Sequence, residues 1–223
     1  MNKLLKYLTL AAAAAALTVT ARATAVLTMS DGTAADTVTI LDNGAGDGFG
    51  STLGAIQWTG NIGTWILNVN VGKSYPVLGD VSHPNMDLSF NTSATAAGTL
   101  WITFSDIFTG VAAGTGLATV GGTMDNGTVT LNILEGGHQI ITTGAAVGNP
   151  FSASASGGFA AISVGANALS SIVAEQVVIV ARGSEVATGD ARLKVPDGGT
   201  TALLLGAGLT GLALISRRQK RKS

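Results

Sequence analysis

Two stretches indicate the fold class most directly: Thr64-Trp65-Ile66-Leu67-Asn68-Val69-Asn70-Val71 and Met86-Asp87-Leu88-Ser89-Phe90-Asn91. Apolar and polar side chains alternate along each, which is the period of a strand with one buried face. The first stretch predicts a buried face of Trp65, Leu67, Val69 and Val71, and an outer face of Thr64, Asn68 and Asn70. The second predicts that Leu88 and Phe90 point inward. Both stretches therefore favour antiparallel strands.

Glycines recur throughout the rest of residues 26–194 and separate short runs that are rich in Val, Ile, Thr and Leu. This pattern is typical of strands joined by turns. Asn126-Gly127 is typical of a type I′ hairpin turn, here between Gly122–Asp125 and Thr128–Leu134. Gly136-Gly137 then returns the chain into a third run, His138–Thr143, so we expect a meander of three strands. A last antiparallel pair, Ser171–Ala181 with Glu185–Leu193, is expected to join near Gly183.

No long helical period interrupts these runs, which disfavours parallel βαβ units. We therefore predict an all-β domain over residues 26–194, either an antiparallel β-sandwich or a jelly roll. A β-solenoid is the alternative, but the sequence has no fixed repeat period. Whether Ala160–Ser170 forms a short helix or a loop stays open.

Charge divides the chain into three regions. Residues 26–194 hold twelve acidic and four basic side chains, a net charge of −8, whereas both termini are basic. An acidic body is a poor partner for nucleic acid, whose binding depends on Lys and Arg meeting phosphate. The chain has no Cys, which excludes disulfides, thiol nucleophiles and Cys-ligated metals.

Residues 1–25 have the three parts of a secretory signal peptide. Lys3 and Lys6 precede an apolar run, Leu8–Val19, and Ala23-Thr24-Ala25 forms a small-x-small cleavage site. An N-terminal membrane anchor is the alternative, but the apolar run is short for a span of about 20 residues. We expect Sec-type export with cleavage at Ala23 or Ala25.

The C-terminus has the pattern of a second targeting sequence. Thr200–Ser216 is uncharged and as a helix would extend about 25 Å, close to the thickness of a membrane core. The basic tail over residues 217–223 should stop transfer and remain cytoplasmic; its bases are Arg217, Arg218, Lys220, Arg221 and Lys222. We therefore predict a transmembrane helix over residues 200–216 that holds the precursor in the inner membrane.

The five residues before this helix are Val195, Pro196, Asp197, Gly198 and Gly199. Together with the apolar helix and the basic end, they resemble the PEP-CTERM class of sorting signals of Gram-negative bacteria, in the variant written Val-Pro-Asp-Ser-Gly. Gly198 stands where that variant has Ser. The resemblance covers residues 195–223 and implies processing by an exosortase, a membrane-embedded protease, near residues 195–199. It also implies delivery to the cell surface or medium, often beside exopolysaccharide production.

No catalytic motif is recognisable, so we expect no enzyme. His83 and His138 both lie in turn-like sequence, and a hydrolase would need two carboxylates meeting in a cleft. No cofactor is expected, although the loop containing Asp42, Asn43 and Asp47 offers oxygen ligands of the kind that Ca²⁺ takes. The same residues also favour tight turns, which is the alternative interpretation.

Trp101 is the aromatic side chain of most functional interest. Alternation along Leu100-Trp101-Ile102-Thr103-Phe104-Ser105 predicts that Trp101 points outward with Thr103 and Ser105. An outward Trp is able to stack on a sugar ring, unless a loop or helix covers it. The sequence thus favours an exported surface or extracellular-matrix protein with a structural or adhesive role. The alternative is a glycan-binding module that acts on exopolysaccharide.

Overall fold

The computed structural model describes residues 25–80, 82–109, 114–159 and 171–195. This part of the chain is made of twelve strands. They are β1 (Val26–Ser30), β2 (Thr37–Leu41), β3 (Ala55–Ile62), β4 (Trp65–Lys73), β5 (Asn85–Ala94), β6 (Gly98–Phe108), β7 (Gly114–Met124), β8 (Gly127–Glu135), β9 (His138–Thr142), β10 (Phe151–Phe159), β11 (Ser171–Ala181) and β12 (Glu185–Lys194).

The strands form two six-stranded antiparallel sheets. Sheet A has the order β2-β1-β6-β11-β8-β9, and sheet B has the order β10-β7-β12-β5-β4-β3. The inward side chains of both sheets meet in one apolar core, which includes Leu27, Trp65, Leu88 and Phe104. The predicted all-β antiparallel sandwich is therefore confirmed, and the two packed sheets are not a solenoid.

The alternation predicted for β5 and β6 is confirmed. Leu88 and Phe90 are buried in β5, and Ile102 and Phe104 are buried in β6. In β4 the prediction is confirmed for Trp65, Leu67 and Asn68 but is wrong at Asn70 and Val71, because the register against β5 shifts between Leu67 and Val69. This irregularity turns Asn70 into the core, where its side chain is fully buried, and leaves Val71 half-buried.

The predicted hairpin at Asn126-Gly127 is wrong. β7 belongs to sheet B and β8 to sheet A, so this connection crosses between the sheets. A type I′ turn needs a positive φ at both central residues, and neither residue has one. Gly127 instead pairs with Ala181 of β11.

The predicted last pair is also wrong for the same reason. Its two strands exist as β11 and β12, but β11 lies in sheet A and β12 in sheet B. Of the expected meander, only the turn at Gly136-Gly137 is confirmed. It joins β8 to β9, and both glycines have positive φ (58° and 83°).

The first and last described residues lie at the same end of the sandwich. Val26 pairs with Ser105 near the end of β6, and Lys194 pairs with Asn85 at the start of β5. Residues 95–97 join the end of β5 directly to the start of β6, so the opposite ends of these strands also coincide. Ala25 and Val195 therefore share what we call the terminal end.

The predicted signal-peptide helix and the predicted helix over residues 200–216 lie outside the described residues, as does Ala160–Ser170. Across the described ranges, the chain forms no helix long and apolar enough to cross a membrane.

Candidate functional site

Trp101 lies in β6, between β1 and β11 near the middle of sheet A. It is opposite Ser30 on one side and Val178 on the other. Its neighbours Leu100 and Ile102 are fully buried, while Trp101 itself is half-buried on the outer face. The structure thus places Trp101 outward, as its register predicts.

A short loop touches one edge of the Trp101 ring. Gly32 has φ +95° and passes so close that a Cβ there would stand 3.0 Å from the ring atom Cζ3. The loop is held by its own hydrogen bonds: the Gly32 N–H donates to Ser30 Oγ at 3.0 Å, and the Thr33 N–H donates to Asp31 Oδ1 at 2.9 Å. The alternative, in which a loop covers Trp101, therefore applies only in part, because Gly32 contacts one edge of the ring and restrains it.

A shallow recess of about 270 Å³ opens beside this ring. Its lining residues are Thr28, Ser30, Gly32, Trp101, Thr103 and Gln176. They come from β1, the loop after β1, β6 and β11, so the sheet brings together residues far apart in sequence. Apart from Trp101 and Thr103, the sequence did not suggest that these residues act together.

A row of polar side chains crosses sheet A along one edge of the recess. Thr39, Thr28, Thr103, Gln176 and Asn132 follow one another across neighbouring strands. The Gln176 Nε2 donates to Thr103 Oγ1 at 3.4 Å, and the Asn132 Nδ2 donates to Gln176 Oε1 at 3.3 Å. Thr28 and Thr39 share a hydroxyl contact of 3.3 Å. We call these five side chains the polar row.

The predicted calcium loop uses its carboxylates to hold the backbone. Asp42 Oδ2 accepts the Gly54 N–H at 2.8 Å. Asp47 Oδ1 accepts the N–H groups of Phe49 at 3.0 Å and Gln57 at 3.1 Å. Burial raises the pKa of Asp42, and the nearby Asp47 charge adds to this, while the Gly54 amide opposes it. Within the described ranges, no three His, Cys, Asp or Glu side chains are grouped to hold a metal ion.

The histidines stand in separate settings. His83 lies in a turn where its Nδ1 is 2.9 Å from Asp80 Oδ2. The Ser82 hydroxyl, together with His83, lowers the pKa of Asp80 to about 2. His138 is the exposed first residue of β9.

Two buried carboxyl groups, Asp106 and Glu175, were not predicted. They lie on neighbouring strands of sheet A and point into the core, with exposures of 1% and 0%. Burial raises the pKa of Asp106 to about 6, although hydrogen bonds from Ser74 and the Ile107 N–H oppose the shift. Burial also raises the pKa of Glu175 well above its usual value. Each acid occupies an inward position of its strand where the neighbouring inward residues are apolar, and this is the only signal in the sequence that it is buried.

Val195, the first residue of the predicted sorting motif, is part of the folded body. Its N–H donates to the Pro84 carbonyl at 3.0 Å, and its side chain is buried. Ala25 is buried at the same end. Ala23, the remaining motif residues (Pro196, Asp197, Gly198 and Gly199) and the basic tail beginning at Arg217 lie outside the described residues.

The VPDSG-CTERM motif matches residues 194–219, which confirms the predicted variant of an exosortase sorting signal. The match begins at the last residue of β12. A C-terminal signal of this class directs export toward the cell surface. No curated protein matches the sequence significantly.

Solved structures give two distant likenesses. TmCBM61 in complex with beta-1,4-galactotriose is 10% identical, with a TM-score of 0.29 over 59% of this chain and 88% of that chain. The PA14 sugar-binding domain from an RTX adhesin is 14% identical, with a TM-score of 0.33 over 80% and 93% of the two chains. Both scores are too low for either likeness to bear on the fold or ligand of this protein.

Proposed function

We propose that this chain is an exported protein of the cell surface or extracellular matrix with a structural or adhesive role. The observation that carries the proposal is the sorting motif at residues 194–219, which begins where the last strand ends. In this proposal, Sec-type export delivers the body across the inner membrane, and residues 200–216 hold the precursor there transiently. An exosortase-like protease then processes the chain near residues 195–199.

The proposal assigns no catalytic role to the body. Asp106 and Glu175 lie on neighbouring strands of sheet A, but both face the core, where no substrate has access. His83 hydrogen-bonds within its own turn. This arrangement supports a structural or adhesive protein over a hydrolase, whose two carboxylates must face a cleft.

Fractionation of the native host tests the proposed delivery. Mass spectrometry of the C-terminal peptide should show that the chain ends near residues 195–199 and that the body is in the surface or medium fraction. An intact chain, ending at Lys222 and Ser223 in the inner membrane, would contradict sorting and point to an ordinary tail anchor.

A second function, glycan binding, is favoured by the recess beside Trp101. The ring is restrained by Gly32, half-exposed and surrounded by hydroxyl and amide groups, which are the elements needed to stack on a sugar and hydrogen-bond its hydroxyls. Titration with the host's own exopolysaccharide should change the Trp fluorescence of the wild type but not of Trp101→Ala. An equal response in both proteins would exclude this recess as the binding site.

A further inference from the structure

We propose that the recess and the polar row bind an uncharged polysaccharide, with Trp101 stacking on one sugar and Gln176 at the centre of the hydrogen-bonding surface. This inference rests on the glycan-binding function proposed above and adds the class of glycan and the residues that recognise it.

The outer faces of the two sheets differ in charge. The four central strands of sheet A are β1, β6, β11 and β8. Within the described residues, their outward positions carry no acidic or basic side chain. Those of β6, for example, are Thr99, Trp101, Thr103, Ser105 and Ile107. The outer face of sheet B carries charges, including Asp190 and an ion pair of 3.2 Å between Arg192 and Asp87. Sheet A therefore presents a neutral surface that requires no counter-charge from its ligand.

The surroundings of the recess disfavour an anionic ligand. The loop that touches Trp101 contributes Asp31 and Asp36, both acidic, and the body as a whole has a net charge of −8. Like charges reduce both the rate and the strength of association. A polysaccharide rich in uronate or sulfate would therefore be repelled, whereas a neutral one would not.

The polar row is suited to exchanging its bonds for bonds to sugar hydroxyls. Its contacts between Gln176, Thr103 and Asn132 are 3.3–3.4 Å long, beyond the usual 2.9–3.0 Å for N–H···O bonds. Weak bonds are lost at little cost when a ligand hydroxyl approaches to a better distance. The amide of Gln176 both donates and accepts, as does each Thr hydroxyl, and this matches the mixed character of sugar hydroxyls.

The dimensions fit a short piece of a polymer. Neighbouring strands are about 4.8 Å apart, so the row from Thr28 to Asn132 extends about 14 Å across sheet A. Trp101 lies two residues before Thr103 on the same face of β6, and its partner Ser30 lies two residues after Thr28 in β1. A sugar stacked on the Trp101 ring is therefore adjacent to the hydroxyls of Thr28 and Thr103. A chain lying across the strands would contact both features at once.

The test uses the exported protein recovered from the host and four variants: Trp101→Ala, Gln176→Ala, Gly32→Ala and Asn91→Ala. Asn91 is the matched control, because it is an exposed amide on the outer face of sheet B that accepts a cross-strand bond from Asn68 at 3.2 Å. The probes are neutral oligosaccharides (gluco-, galacto- and manno-configured) and polygalacturonate as the anionic probe. Affinity is measured by calorimetry at low and high ionic strength, and thermal unfolding confirms that each variant folds.

We expect at least one neutral probe to bind with an affinity that added salt leaves unchanged. Gln176→Ala should weaken this binding about fivefold, the value of one neutral hydrogen bond, and Trp101→Ala about tenfold or more. Gly32→Ala should also weaken it, because the added Cβ displaces the ring, whereas Asn91→Ala should not.

Binding of polygalacturonate alone, with a salt-dependent affinity, would overturn the neutral class while leaving glycan binding in place. Neutral binding that Gln176→Ala leaves unchanged would overturn the role of the polar row. Binding of none of the probes, and no fluorescence response to the host polysaccharide, would refute the glycan-binding function itself.

Discussion

Replacing Asp106 with Asn tests whether the core of the sandwich carries a destabilising buried charge. The Asp106 side chain is 1% exposed in β6 and faces the interior. Its Oδ2 accepts the Ser74 hydroxyl at 2.6 Å, and its Oδ1 accepts the Ile107 N–H at 2.7 Å. Asn preserves the size and shape of the side chain and one acceptor oxygen, but it has no ionised form.

The magnitude follows from the shift in pKa. The folded state raises the pKa of Asp106 from 3.8 to about 6, and about two units correspond to about 3 kcal/mol. Because the folded pKa is the higher one, the unfolded chain loses its proton first as the pH rises. Stability therefore falls between about pH 4 and about pH 6, and the full penalty remains above that range.

Urea denaturation of the exported protein, followed by the fluorescence of the buried Trp65, measures the free energy of unfolding. At about pH 7.5, Asp106→Asn should be more stable than the wild type by about 2 to 3 kcal/mol, while at about pH 4 the gain should vanish. Asp36→Asn, in an exposed loop, is the control and should show no such pH-dependent gain. A difference between Asp106→Asn and the wild type that is the same at both pH values would mean that the buried Asp106 carboxylate does not destabilise the fold.

Three further changes have defined outcomes. Gly72→Ala should destabilise the protein by about 2 kcal/mol or more in urea, because a Cβ at Gly72 overlaps the buried ring of Phe104; an unchanged stability would contradict the described packing. Asp47→Asn should cost about 1 to 2 kcal/mol equally in calcium and in chelator, since its carboxylate holds backbone N–H groups; a cost seen only with calcium would favour a metal site. Val195→Ala should cost about 1 kcal/mol in thermal or urea unfolding of the uncleaved precursor, and no loss would mean that the sorting motif is independent of the fold.

The sequence predicts individual strands well because alternation is a local property. The buried faces of β5 and β6 follow directly from residues such as Leu88 and Ile102, whose neighbours along the strand point outward. The turn at Gly136-Gly137 is predictable for a similar reason, since two adjacent glycines adopt the positive φ values that a two-residue hairpin requires.

The pairing of strands is not predictable by the same reasoning. Asn126-Gly127 joins two strands that lie in different sheets. A hairpin within one sheet and a crossing between two sheets both need a short flexible connection between apolar runs, so the local sequence does not distinguish them. Close approach of Gly127 to the Val180 carbonyl favours the crossing, and this contact depends on β11, which lies about fifty residues later in the chain. The irregularity in β4 is also a long-range effect, because it exists only relative to β5.

The candidate site is predictable in part. The outward register of Trp101 follows from β6 alone, but the other members of the recess come from β1 and β11. Thr28 and Gln176 are nearly 150 residues apart and look like ordinary solvent-facing residues in their own strands. Only the strand order β1-β6-β11 makes them neighbours of one aromatic ring.

The same topology relates the proposed binding surface to the proposed delivery. Val195 and Ala25 lie at the terminal end of the sandwich, where β6 ends and β5 begins. Trp101 and its loop lie toward the other end of β6, because Trp101 pairs with the last residue of β1. A protease that acts next to Val195 therefore approaches the body away from the recess. It follows that sugar binding and C-terminal processing should not compete, and Trp101→Ala should leave the position of the processed C-terminus unchanged; a shifted or uncleaved C-terminus in that variant would contradict this separation.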